Sequence, residues 1–188
     1  MAVRPTGDEQ ADALLNRSPL ALLLGMMLDQ QIPIERAFAG PAELERRIGV
    51  FDAPRLAAME EDDLVDAFCA KPALHRFPAV MAKRARAICT LLVEEYGGDP
   101  SALWADVDDA AELTRRLRQL PGFGANSTRI FIALLAKRFE VCPPGWEAEA
   151  GQYSEPGLRS VADLDSTEAL AALRAQRKAA ATTKGATS

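Results

Sequence analysis

The sequence predicts an all-α fold, and three observations predict it. Apolar residues recur at helical spacing along most of the 188 residues, and strand-like alternation never outlasts four residues. Serine, aspartate and proline caps stand at helix starts, with glycine or proline after helix ends. A hydrophobic fraction of 48% is enough to bury a core in one compact domain or in two small helical lobes.

Asp8 to Leu15 reads as a short amphipathic helix. Ser18-Pro19 is a helix start, since serine caps free N–H groups and proline suits the first helical position. Pro19 to Gln31 is apolar on almost every side, so it reads as a central buried helix, with Pro33 as its stop. Shorter helices follow at Pro41 to Ile48 and Glu60 to Cys69. Lys71 to Phe77 is a loop marked by Pro72 and Pro78. Ala79 to Tyr96 is a long helix with Val80, Ile88, Leu91, Leu92 and Tyr96 as its apolar stripe, closed by Gly97-Gly98. Asp108 to Gln119 and Ala125 to Phe139 form two more. An irregular stretch runs from Cys142 to Gly157. Ser166 to Ala180 is the last helix, and 181–188 reads as a disordered tail.

Several classes are disfavoured. The longest apolar run, Leu20 to Leu28, is too short to cross a bilayer. The polar start with Asp8 and Glu9 does not read as a signal peptide, so the expected location is the cytoplasm, in association with the nucleoid. Cys69, Cys89 and Cys142 form no C-x-x-C pair, and His75 stands alone, which speaks against a zinc or iron–sulfur site.

The net charge of −5 argues against nucleic acid for the chain taken whole, but the distribution argues the other way. No acid occurs from Ala67 to Val93 or from Leu113 to Phe139. Those stretches carry Lys71, Arg76, Lys83, Arg84, Arg86, Arg115, Arg116, Arg118, Arg129, Lys137 and Arg138. Such segregation can give an acidic protein one basic face. Solvated helix faces would look the same.

The informative segment joins two helices: Leu120-Pro121-Gly122-Phe123-Gly124, followed by Ala125-Asn126-Ser127-Thr128. Gly122 and Gly124 permit a tight hairpin. Free N–H groups there and at the next helix start form an anion site suited to a DNA phosphate. Leu117, Leu120 and Phe123 anchor the hairpin in the core, and Arg129 lies one turn further on. An ordinary glycine-containing helix turn is the bland alternative.

The segment resembles the helix-hairpin-helix (HhH-GPD) motif of base-excision DNA glycosylases of the endonuclease III type. The resemblance extends to Ser18-Pro19-Leu20 with Met27-Leu28-Asp29-Gln30-Gln31, and to Phe77 through Gly98, so it covers roughly residues 18–140 in order. It implies two helical lobes, residues 18–124 and residues 1–17 with 125–180, with the hairpin at the cleft between them. It implies double-stranded DNA as partner, a monomer, and phosphate contacts at Gly122, Phe123, Gly124, Asn126, Ser127 and Arg129. Gln30 and Gln31 would stand at the cleft mouth, where a glutamine fills the gap left by an extruded base. A base pocket would be walled by Asp29 and Trp146. The backbone carbonyls of Leu120 and Phe123 would hold a monovalent cation, Na or K.

The chain also departs from the family. Asn126 stands where lyase members carry a Schiff-base lysine, so the expected chemistry is hydrolytic. The usual catalytic aspartate would fall in Pro143-Pro144-Gly145-Trp146, which has no carboxylate. Glu147 is the first candidate to replace it and Glu149 the second, because an oxocarbenium-like sugar needs a nearby negative charge. Both could equally be surface acids, and Trp146 could equally be a core residue. No cofactor or iron–sulfur cluster is implied. The expected function is a monofunctional DNA glycosylase. The alternatives are a non-catalytic binder of damaged or distorted DNA, or a protein-interaction domain whose hairpin amides are capped by protein groups.

Overall fold

A computed structural model describes the backbone of residues 2–185 and the side chains of residues 2–176, 178 and 179. Among the described residues there are ten α-helices, three short 3-10 turns and no strand, so the chain is all-α. The helices are α1 (Glu9–Arg17), α2 (Pro19–Leu28), α3 (Ile34–Ile48), α4 (Ala53–Ala58), α5 (Glu61–Cys69), α6 (Pro78–Tyr96), α7 (Ala110–Arg118), α8 (Ala125–Phe139), α9 (Trp146–Ala150) and α10 (Thr167–Gly185). No described helix is long and apolar enough to cross a membrane.

Helix α2 is the central element, with every residue from Leu20 to Leu28 buried. The Ser18 hydroxyl accepts from the Ala21 amide at its start, and Pro19 takes the first position. It stops at Leu28, three residues short of the end read from sequence. The chain turns at Asp29 and Gln30, and Gln31 adopts a left-handed φ of 58°. The reversal is needed because α3 folds back onto α2. Close approach comes at two glycines: a Cβ on Gly25 would lie 2.7 Å from the Phe38 ring, and one on Gly40 would lie 2.7 Å from Leu28 Cδ1.

Helix α3 begins at Ile34 and runs through Pro41, which the sequence reading took for a helix start. Proline forfeits one backbone bond and favours a first turn. The buried stripe Ile34, Ala37, Phe38, Pro41 and Leu44 keeps helical spacing on both sides of it, and that burial carries the helix through. Helix α4 escaped notice because it is only six residues long; Asp52 caps it.

Helix α6 buries Met81, Ala82, Ala85, Ile88, Cys89 and Leu92. Val80, assigned to the apolar stripe from sequence, is instead 49% exposed. Helices α7 and α8 fall almost where expected; Asp109 caps α7 and α8 keeps the predicted bounds. The irregular stretch after Cys142 contains α9. Helix α10 extends to Gly185, beyond the expected end at Ala180, while residues 186–188 of the expected tail lie outside the described residues. Buried apolar residues from Val3 to Leu173 form one contiguous cluster.

Candidate nucleic-acid interface

The hairpin between α7 and α8 is anchored from below. Leu117, Leu120 and Phe123 are buried, and the Phe123 ring meets Phe131 edge-on at 5.7 Å. The Phe123 amide donates to the Leu120 carbonyl at 3.0 Å, closing the turn. Gly122 has φ of 89°, a conformation that a side chain resists, and a Cβ there would sit 3.3 Å from Met27. Gly124 is the N-cap of α8 and is exposed, with open space where a side chain would stand. No side chain caps α8, so the amides of Ala125, Asn126 and Ser127 have no acceptor among the described residues. Unsatisfied amides at a helix start carry partial positive charge and favour an anion.

Gln30 holds this hairpin in place. Its side-chain amide donates to the Gly122 carbonyl at 3.0 Å and to the Met27 carbonyl at 3.1 Å, while Arg84 donates to its Oε1 at 3.3 Å. The sequence reading put both glutamines at the DNA; the structure ties Gln30 inward and leaves Gln31 exposed beside it. Behind Gln30 stands His75. Its Nδ1 accepts from the Phe77 amide at 3.0 Å, so Nε2 carries the proton and donates to the Gln30 carbonyl at 2.7 Å. His75 is 1% exposed although it lies in the loop before α6. Burial pushes its pKa below the usual histidine value. The bond to the Gln30 carbonyl opposes that shift, and the charges of Arg36, Arg84 and Arg76 add to it.

Phe77, Val80 and Arg84 share one stripe of α6 by their spacing, and Arg84 reaches the hairpin. Phe77 is 46% exposed and Arg76 lies over its ring at 4.9 Å. Phe77 and Val80 are thus two exposed apolar side chains on the stripe that carries Arg84 to Gln30. The sequence reading missed both; an exposed apolar position is invisible until the helix's buried face is known.

The structure also sorts the basic residues. Lys83 pairs with Glu61, Arg115 and Arg116 with Glu112, Lys137 with Asp163, and Arg138 with Asp165. Arg118 and Arg129, which flank the hairpin, are exposed and have no partner among the described residues. Five of the eleven basic residues of the acid-free stretches are thus paired with acids outside them, and Arg118 and Arg129 stay unpaired beside the hairpin.

The loop that follows α8 turns toward the start of α7, where the Pro144 carbonyl accepts from the Ala110 amide at 2.9 Å. Trp146 is half-buried and packs against the core, in line with the core reading of this residue. Glu147 is exposed, whereas Glu149 accepts from the Thr114 hydroxyl at 2.6 Å. Asn126 accepts from the Tyr153 hydroxyl at 2.8 Å, a partner that nothing in the sequence announced. Asp29 ends α2 beside Gln30. It does not share with Trp146 the cavity between α7, α8 and α9, which is lined instead by Thr114, Arg118, Thr128, Arg129 and Glu149.

The chain matches no protein-family model, no curated protein and no solved structure.

Proposed function

We propose that the chain binds double-stranded DNA through the Gly122–Ser127 hairpin and acts in base-excision repair. One observation carries this reading: the α8 amides are uncapped at an exposed glycine, and the two arginines beside them are unpaired. Backbone phosphates suit that combination, because amides and guanidinium groups contact phosphate without reading sequence. Phe77 and Val80 would press against the duplex, as exposed apolar side chains do when a protein parts a base step. The uncapped amides speak against a protein-interaction domain with a closed hairpin.

A monovalent cation fits the hairpin. The Phe123 carbonyl has no hydrogen bond among the described residues and the Leu120 carbonyl has one, so both retain lone pairs.

The chemistry that the resemblance implies is hydrolysis at a damaged or mismatched base. The bond from sugar C1′ to the base nitrogen breaks with its electron pair going to the base, water adds to C1′, and the proton that water loses passes to a carboxylate and from there to the departing base. Glu147 is the free carboxylate of α9, since Glu149 is engaged by Thr114. The exposure of Glu147 favours a second reading, a non-catalytic binder of distorted DNA, because a catalytic carboxylate works best when its geometry is fixed. Base release from duplexes carrying single lesions separates the two. Release that is lost in Glu147→Gln supports the glycosylase. Salt-sensitive binding without release leaves the binder.

A further inference from the structure

A small open cavity of about 220 Å³ lies between α7, α8 and α9. Thr114 and Arg118 line it from α7, Ala125, Thr128 and Arg129 from α8, and Glu149 from α9. Thr128 is 1% exposed, and its hydroxyl is the one buried side-chain polar atom without a partner among the described residues. A helical threonine commonly bonds the carbonyl four residues back. Here the Gly124 carbonyl receives the Thr128 amide at 3.0 Å but not the hydroxyl, which stays unpaired on a residue that lines the cavity. A buried hydroxyl without a partner is unfavourable, so its persistence points to a ligand.

The walls define the ligand's chemistry. Two unpaired guanidinium groups, one unpaired hydroxyl and the free Ala125 amide at the start of α8 are all donors. One like charge opposes an anion, the Glu149 carboxylate, drawn to the α7 wall by Thr114. The cavity holds something small, anionic and rich in acceptors. An in-chain phosphodiester has only two terminal oxygens, and a sugar on each side keeps it from reaching a buried hydroxyl. A phosphomonoester offers three terminal oxygens and nearly twice the charge.

We propose that this cavity is a binding site for a phosphomonoester, and that its source is the terminal phosphate of a nicked or gapped strand. The choice of source rests on the DNA-binding reading; the choice of chemistry does not. The site shares Arg118, Arg129 and the start of α8 with the proposed duplex contact and adds Thr128 as a donor.

The full chain is titrated with two probes. Inorganic phosphate is followed by calorimetry, and nicked duplexes with a 5′-phosphate or a 5′-hydroxyl are followed by fluorescence anisotropy. Wild-type protein binds inorganic phosphate. Arg118→Ala and Thr128→Val each weaken that binding by roughly tenfold or more, the usual effect of losing a hydrogen bond to a charged group. Glu149→Gln strengthens it, and the phosphorylated nick is preferred until Arg118 is replaced. Arg118 is exposed, so its variant keeps the test alive if Thr128→Val fails to fold. Absence of phosphate binding together with equal affinity for both nicks overturns the proposal and leaves the DNA reading standing. Phosphate binding that depends on Thr128, without any duplex binding, supports the cavity's chemistry and overturns both the strand-end source and the DNA reading.

Discussion

The side-chain amide of Gln30 donates to the carbonyl of Gly122, 92 residues further along the chain. This bond joins the end of the buried helix α2 to the hairpin between α7 and α8. It fixes the hairpin relative to the core without occupying any amide that an anion would use. Gln30→Ala leaves the Gly122 carbonyl unpaired and frees Arg84. Stability should fall by about 1–2 kcal/mol in urea titration, and duplex affinity should fall with it. Unchanged affinity at reduced stability would mean that the hairpin is held by its apolar anchors alone.

His75 gives the same joint a pH dependence. Its folded pKa is lowered by burial, so the unfolded chain takes up the proton first. The contribution of neutral His75 is complete above the unfolded value of about 6.5 and declines as pH falls below it. Protonation at Nδ1 also ejects the Phe77 amide. Wild-type protein should lose stability between pH 7.5 and pH 5, and His75→Gln should lose less over that interval. Parallel pH profiles for the two proteins would remove His75 from the account.

The contact between α2 and α3 at Gly25 should not tolerate a methyl group. A Cβ there would meet the Phe38 ring at 2.7 Å, and Phe38 is itself fully buried with no room to retreat. Gly25→Ala should lower stability by about 1–3 kcal/mol, the usual penalty for overpacking a core. Thermal melting measures it.

The sorting of basic residues predicts which of them matter to DNA. Arg118→Gln and Arg129→Gln should each reduce the slope of log affinity against log salt by about 1. Lys137→Gln should leave that slope unchanged, because Lys137 is already paired with Asp163 at 2.7 Å. Equal effects from all three would mean that net charge, and not the hairpin, attracts the DNA.

The sequence made the hairpin legible because its information is local. Pro121 and two glycines set the turn, and Leu117, Leu120 and Phe123 keep apolar spacing on either side. Helix α8 accordingly came out at its predicted bounds. Pro41 misled for the opposite reason, since its place inside α3 depends on burial against α2. Gln30 stands out in the sequence, but its bond to Gly122 does not, because that partner lies in another helix pair. The sequence assigns no role to Tyr153 or to the Thr128 hydroxyl, does not mark Phe77 as exposed, and places Val80 in the buried stripe. Their significance lies in what faces them or fails to face them, which periodicity does not encode.

The central claim is that the uncapped amides of α8 bind a DNA phosphate, and Gly124→Asp tests it most directly. Gly124 has extended backbone angles and open space around it, so an aspartate fits and its carboxylate can cap those amides. The variant should melt at the same temperature or slightly higher and bind duplex DNA far more weakly at low salt. A variant that is equally stable and binds as tightly as wild type would contradict it.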